Sequence, residues 1–142
     1  MSSALDLHGP PHVDRYLETN GEDGYNWRNG TTILLLFTKG RKSGEERINP
    51  LIFRDHGDDA HTVVASRGGT DEPPSWFLNL SEEPNVEVQI KGDRFPARAR
   101  VATDAEQPEL WRRMTEVWPD YDQYQQKTSR QIPVVVLERT KA

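Results

Sequence analysis

Residues 31–55 read TTILLLFTKGRKSGEERINPLIFRD. The apolar residues of 31–38 run without a break instead of alternating, the pattern of a strand buried on both faces. A second strand follows at 45–55. Between them, TKGRKSGEERINP (38–50) gathers Lys39, Arg41, Lys42 and Arg47 around Gly40 and Gly44. A two-residue turn would join two antiparallel strands more simply. Turn chemistry explains the glycines but not the four cations.

Working outward, AHTVVAS (60–66) reads as a third strand after the turn DHGDD (55–59), and it ends in RGGTDE. Two prolines open PSWFLNLSEEP (74–84), where Trp76, Phe77 and Leu80 fall at helical spacing, with Asp71 or Glu72 near the helix start. VEVQI and RFPARARV flank Gly92-Asp93, the signature of a tight hairpin. That pairing puts Val86, Val88 and Ile90 on one face with Phe95, Ala97, Ala99 and Val101, and Arg94, Arg98 and Arg100 on the other. A helix spans 105–118, and IPVVVLE (132–138) is a last buried strand. At the N-terminus, residues 1–10 read as a loose arm and 10–20 as a short helix with a thin apolar face. The loop 20–30 is rich in Gly, Asn and acid, with Trp27 folded back onto the body of the protein. Six short strands and few helices predict a mainly β, small antiparallel barrel. We therefore divide the chain into an N-terminal arm, helix and loop (1–30) and a barrel (31–142), one domain overall.

Whole-chain quantities narrow the function. The chain has 142 residues, enough for one core, with 18 basic and 23 acidic side chains and a net charge of -5. This balance argues against general nucleic-acid binding and leaves room for a local basic pocket. The chain has no cysteine, which excludes disulfides, thiolate metal sites and cysteine nucleophiles. The longest apolar run, 33–37, is five residues, too short for a membrane span, and no signal peptide is visible. A cytoplasmic protein is expected. His56 lies among Asp55, Asp58 and Asp59 in a turn where such residues are normally solvated, so no metal is expected.

Three segments carry chemistry. The corner at 38–50 suits an anion pocket, with exposed amides and Arg forks; a solvated hairpin end kept soluble by its cations explains the same residues. In VVASRGGTDEPPSW (63–76), Ser66, Gly68 and Gly69 can present a hydroxyl and backbone amides to a flat ring, or simply form a glycine-dependent turn. In WPDYDQYQQKTSRQIPV (118–134), Tyr121 and Tyr124 would share one side of a helix, where they could wall an aromatic ligand, donate a proton or pack.

In order and spacing, KGRKSGEERINP, VVASRGGTDEPPSW and WPDYDQYQQKTSRQIPVVVLE resemble the deazaflavin-dependent nitroreductase family of actinobacteria, over about residues 31–138. The resemblance implies a flavin-reductase-like split β-barrel and coenzyme F420, an 8-hydroxy-5-deazaflavin with an anionic phosphate and oligoglutamate tail. It implies that Arg41, Lys42, Ser43 and Arg47 hold the phosphate and tail, with Asn49 and Pro50 lining the same groove. Ala65, Ser66, Gly68 and Gly69 would face the ring and ribityl chain, with Trp76 and Asn79 close to it. Tyr121 and Tyr124 would border the substrate, and Ser66 or Tyr124 would stabilise charge or deliver a proton. The expected activity is hydride transfer to a quinone or nitroaromatic; FMN chemistry on the same barrel, or deazaflavin binding without turnover, are the alternatives. A homodimer is expected by analogy with other split barrels. Asn49, Glu72, Pro73 and Arg67 depart from the family pattern, the middle two replacing a cation near the tail with an acid.

Overall fold

A computed structural model describes residues 7–57 and 59–140. Its elements are α1 (Gly9–Thr19), β1 (Thr32–Lys39), β2 (Glu46–Asp55), β3 (Ala60–Val64), α2 (Ser75–Glu82), β4 (Asn85–Ile90), β5 (Asp93–Val101), α3 (Gln107–Val117), α4 (Asp120–Gln126) and β6 (Val134–Arg139). The six strands close into an antiparallel barrel in the order β1-β2-β3-β6-β5-β4, with β4 pairing back to β1. This is the expected split-barrel architecture.

Strand periodicity explains the unbroken apolar runs. Leu34 and Leu36 of β1 point into the barrel with Val135 and Leu137 of β6. Their neighbours Ile33, Leu35 and Phe37 face outward beneath α1, and Val134 and Val136 face outward beneath Leu110 and Met114 of α3. Helices thus cover the outer faces of both strands, and each fully buried aliphatic side chain contributes about 1.5–3 kcal/mol. Trp76 and Leu80 of α2 join the interior cluster.

Three local readings are corrected. The hairpin loop is Lys91-Gly92: Ile90 pairs with Asp93, so Asp93 already belongs to β5, and Lys91 carries the positive φ of +55°. Val101, last in β5, is 47% exposed and does not join the buried face of Phe95, Ala97 and Ala99. Asp71 and Glu72 do lie just ahead of α2, whose N-cap is Pro74, and there Asp71 accepts from Thr128 Oγ1 at 2.7 Å and Glu72 pairs with Arg67. Finally, α1 is not a thin-faced helix. It buries His12, Val13 and Tyr16, two of which polarity scales discount, because their polar atoms find partners inside. Tyr16 is fully buried; its hydroxyl donates to the Ile33 carbonyl at 3.0 Å and accepts the Lys91 N–H at 2.7 Å. Burial pushes its phenol up to about 12.

Two of the three β5 arginines are paired: Arg94 with Glu46 and Glu87, Arg100 with Glu106 and Glu138. Among the described residues, no helix is long and apolar enough to cross a membrane.

Candidate functional site: a basic groove beside an aromatic cavity

The β1–β2 corner is a compact loop. Gly40 N–H donates to the Glu45 carbonyl at 2.7 Å and Gly44 N–H to the Gly40 carbonyl at 2.8 Å. Gly40 sits in a tight spot: a Cβ there would lie 2.9 Å from Ser43 Oγ and 3.1 Å from the Glu45 carbonyl oxygen, so the loop would have to shift to admit one. Asn79 of α2, 3% exposed, ties the corner to the body: its Oδ1 accepts from Arg41 N–H at 3.2 Å and Arg41 Nη1 at 2.9 Å, while Nδ2 donates to Thr38 Oγ1 at 3.1 Å.

The corner borders a groove of about 580 Å³ lined by Arg41, Lys42, Ser43, Arg47, Asn49, Trp76 and Asn79. Among the described residues Arg41 and Lys42 have no carboxylate partner, and Arg47 only reaches Glu45 at 4.0 Å with its side chain 57% exposed. Glu46 also lines the groove, but Arg94 holds it at 3.0 Å. The groove therefore carries cations without close carboxylate partners, charge that an anionic ligand could neutralise.

Trp76 also lines a second space, a cavity of about 310 Å³. Here the structure brings together Ser66 and Gly68 from the turn after β3, Pro50 from β2, and Tyr121 and Tyr124 from α4. Asn49 and Pro50 do not share one groove. As successive strand residues they point to opposite sides, and Pro50 lines the aromatic cavity. Ala65 and Gly69 line neither space. Ala65 is fully buried in the core, and its carbonyl accepts from Arg130. Gly69 is a packing glycine: at φ +85°, a Cβ would lie 2.5 Å from the Tyr124 carbonyl oxygen.

The tyrosines occupy one side of α4 as their spacing requires, their rings 6.1 Å apart and edge-on at 74°. Tyr121 is 5% exposed, and burial, reinforced by Tyr124, pushes its phenol well above the usual range. The Tyr124 hydroxyl accepts from Trp118 Nε1 at 3.4 Å.

Other residues at the site were not singled out by sequence motifs. Arg130 crosses to the Ser66 turn and donates to the carbonyls of Ser66 (2.9 Å), Thr70 (2.9 Å) and Ala65 (3.3 Å), its guanidinium acidified by desolvation. His12 and Trp27 reach the cavity from the N-terminal segment, and Trp27 stacks on Trp118 with centroids 5.5 Å apart. Their only sequence signal was Trp27 folded back onto the barrel, because a polar loop hides which of its side chains turns inward. Among the described residues no cluster of three carboxylate or imidazole side chains could hold a metal ion.

Free cations beside an aromatic-walled cavity suit a flat cofactor with an anionic tail. Residues 11–139 match the family described as F420H(2)-dependent quinone reductase. The F420H(2)-dependent quinone reductase Rv1261c of Mycobacterium tuberculosis is 38% identical over 131 residues, covering 90% of this chain and 87% of that protein. A solved F420-H2 dependent reductase, FDR-A, superposes with a TM-score of 0.68 at 37% identity over 75% of this chain and 93% of its own. A structure described as a domain-swapped dimer gives a TM-score of 0.71 at 35% identity over 89% of this chain and 93% of its own. With the matched family spanning nearly the whole barrel and the residues of groove and cavity suited to its cofactor, the chain belongs to the F420H(2)-dependent quinone reductases and is an oxidoreductase that uses coenzyme F420.

Proposed function

We propose that this chain seats the anionic tail of F420 in the basic groove and its ring in the aromatic cavity, and reduces a small-molecule quinone there. The observation that supports this most is Trp76, which lines both spaces, so that one elongated ligand could lie across them. Reduced F420 supplies the hydride when bound.

In this reading, Arg41, Lys42 and Arg47 attract the phosphate and carboxylates of the tail, and Ser43 and Asn49 add neutral hydrogen bonds. Asn79 contributes indirectly by fixing Arg41. Ser66 and Gly68 present a hydroxyl and an open backbone to the ring. Arg130 fixes the carbonyls of that turn, so the turn is set before a ligand arrives. Tyr121 and Tyr124 border the acceptor, and Ser66 or Tyr124 can donate a hydrogen bond to an acceptor oxygen as it gains charge. Nitroaromatics are a second acceptor class for the same cavity. A homodimer is part of the proposal, and one solved relative is described as a domain-swapped dimer.

The test is a parallel titration with oxidised F420 and FMN, then addition of menadione or a nitroaromatic to the complex with reduced F420. Preferential F420 binding followed by menadione reduction supports the reading. Binding without turnover of any acceptor identifies a carrier, and preference for FMN overturns the cofactor assignment.

A further inference from the structure

Two-electron reduction of a quinone adds a hydride and a proton. The proton donor must work near neutral pH. Tyr121, whose phenol burial makes a weaker acid, is poorly suited to that task. Resting on the quinone reductase reading above, we propose that His12 is the general acid of the acceptor cavity, delivering its proton from Nδ1 to the quinone oxygen.

His12 sits in the first turns of α1, 2% exposed, and lines the cavity. Its Nε2 lies 2.8 Å from the Gly24 carbonyl oxygen. A carbonyl can only accept, so Nε2 carries hydrogen whether the ring is neutral or charged. Among the described residues His12 makes no second hydrogen bond, which leaves Nδ1 as the nitrogen that can gain and lose a proton. Gly24 is shaped to this arrangement: at φ +105°, a Cβ there would stand 3.0 Å from His12 Cδ2 and 3.1 Å from Nε2, pushing the ring away. Trp27 flanks the imidazole with centroids 6.2 Å apart, closing it in with the aromatic wall.

No carboxylate among the described lining residues competes with His12 for the proton. The charged or titratable groups that share the cavity are His8 at the head of α1, Arg67 from the turn after β3, and Tyr121 and Tyr124 from α4; no carboxylate is among the described lining residues. On the loop side, Asp23 next to Gly24 is held by Arg15 at 2.7 Å. On its own helix, Tyr16 is engaged with Ile33 and Lys91.

The quinone accepts hydride and becomes a hydroquinone monoanion. Its oxygen forms an O–H bond as the Nδ1–H bond of imidazolium breaks, the electron pair staying on Nδ1. Neutral His12 keeps its Nε2–H bond to Gly24 throughout and regains a proton from solvent.

His12→Gln tests this, because its amide can still donate to Gly24 but cannot carry a proton. Wild-type turnover of menadione with reduced F420 is measured first; an inert wild type ends the reductase reading and this inference with it. With an active wild type, H12Q is expected to lose roughly 100-fold in kcat with KM within about twofold. The wild-type kcat should fall as pH rises and the donor loses its proton, a dependence that should be absent from the variant. An H12Q chain with wild-type kcat overturns the inference alone. A second readout needs neither cofactor nor variant: ¹⁵N-histidine NMR of the cofactor-free protein, kept anaerobic, with menadiol added. The expected result is an Nε2–H tautomer at His12 and a menadiol-induced shift of its Nδ1. An Nδ1–H tautomer, or no shift, refutes the proposal even if H12Q fails to fold.

Discussion

Asn79 Oδ1 accepts both the backbone N–H and the Nη1 of Arg41, at 3.2 and 2.9 Å, while its Nδ2 donates to Thr38 at 3.1 Å. One buried amide thus holds a cationic side chain at the groove and ties the corner loop to both β1 and α2. Replacing it with Ala leaves these partners unsatisfied in a buried setting, costing about 1–3 kcal/mol of stability. N79A should show a lower Tm and, because Arg41 loses its fixed position, weaker F420 binding by titration. The same affinity in a destabilised variant would limit Asn79 to a structural role.

Arg47 makes no close ion pair and its side chain is more than half exposed, so folding does not depend on it. R47A should leave Tm unchanged and weaken F420 by roughly 1.5–3 kcal/mol, the value of a charge-assisted hydrogen bond. Added salt should narrow the gap between wild type and variant, since exposed charges are screened. Unchanged affinity at low salt would remove Arg47 from the site.

Gly69 packs against the backbone of Tyr124 with no space for a methyl group. G69A combines that clash with a left-handed backbone conformation that alone costs about 1–3 kcal/mol. Chemical denaturation should show a loss at least that large, and menadione turnover should drop as α4 moves away. G68A is the control: Gly68 shares the positive φ, but nothing lies within 4 Å of its Cβ position. It should pay the backbone cost without displacing α4.

Burial pushes the Tyr16 phenol up to about 12 in the folded chain, against 10.0 ordinarily. Below pH 10 both states hold the proton. As pH rises from 10 towards 12, the unfolded chain releases it first, so this residue's contribution to stability falls with pH across that window. In Y16F that contribution to the slope should vanish, while stability near pH 7 drops by about 1–3 kcal/mol because the Lys91 N–H loses its acceptor. Denaturation curves of both proteins from pH 8 to 12 measure both effects. Equal slopes would mean that Tyr16 does not stay protonated in the fold.

Much of this architecture is legible in local pattern. The period-two interior of the strands, the unbroken runs of β1 and β6, and the i,i+3 tyrosines of α4 follow from geometry that neighbouring residues impose on one another. The cationic corner was likewise visible, because its residues are consecutive. Local pattern failed where a contact spans the chain. The division of Asn49 from Pro50 between two spaces depends on what packs over each side of β2. Gly69 is a glycine because of Tyr124, and Ala65 lies beneath Arg130, neither of which is near it in sequence. Nothing adjacent in the sequence marks His12, whose Gly24 partner and place on the cavity wall come only with the tertiary fold. Sequence patterning sufficed for the barrel and its basic corner, since both arise from adjacent residues. Tertiary packing decided which side chains line the cavity, since burial and hydrogen-bond satisfaction belong to partners brought together only when the barrel closes.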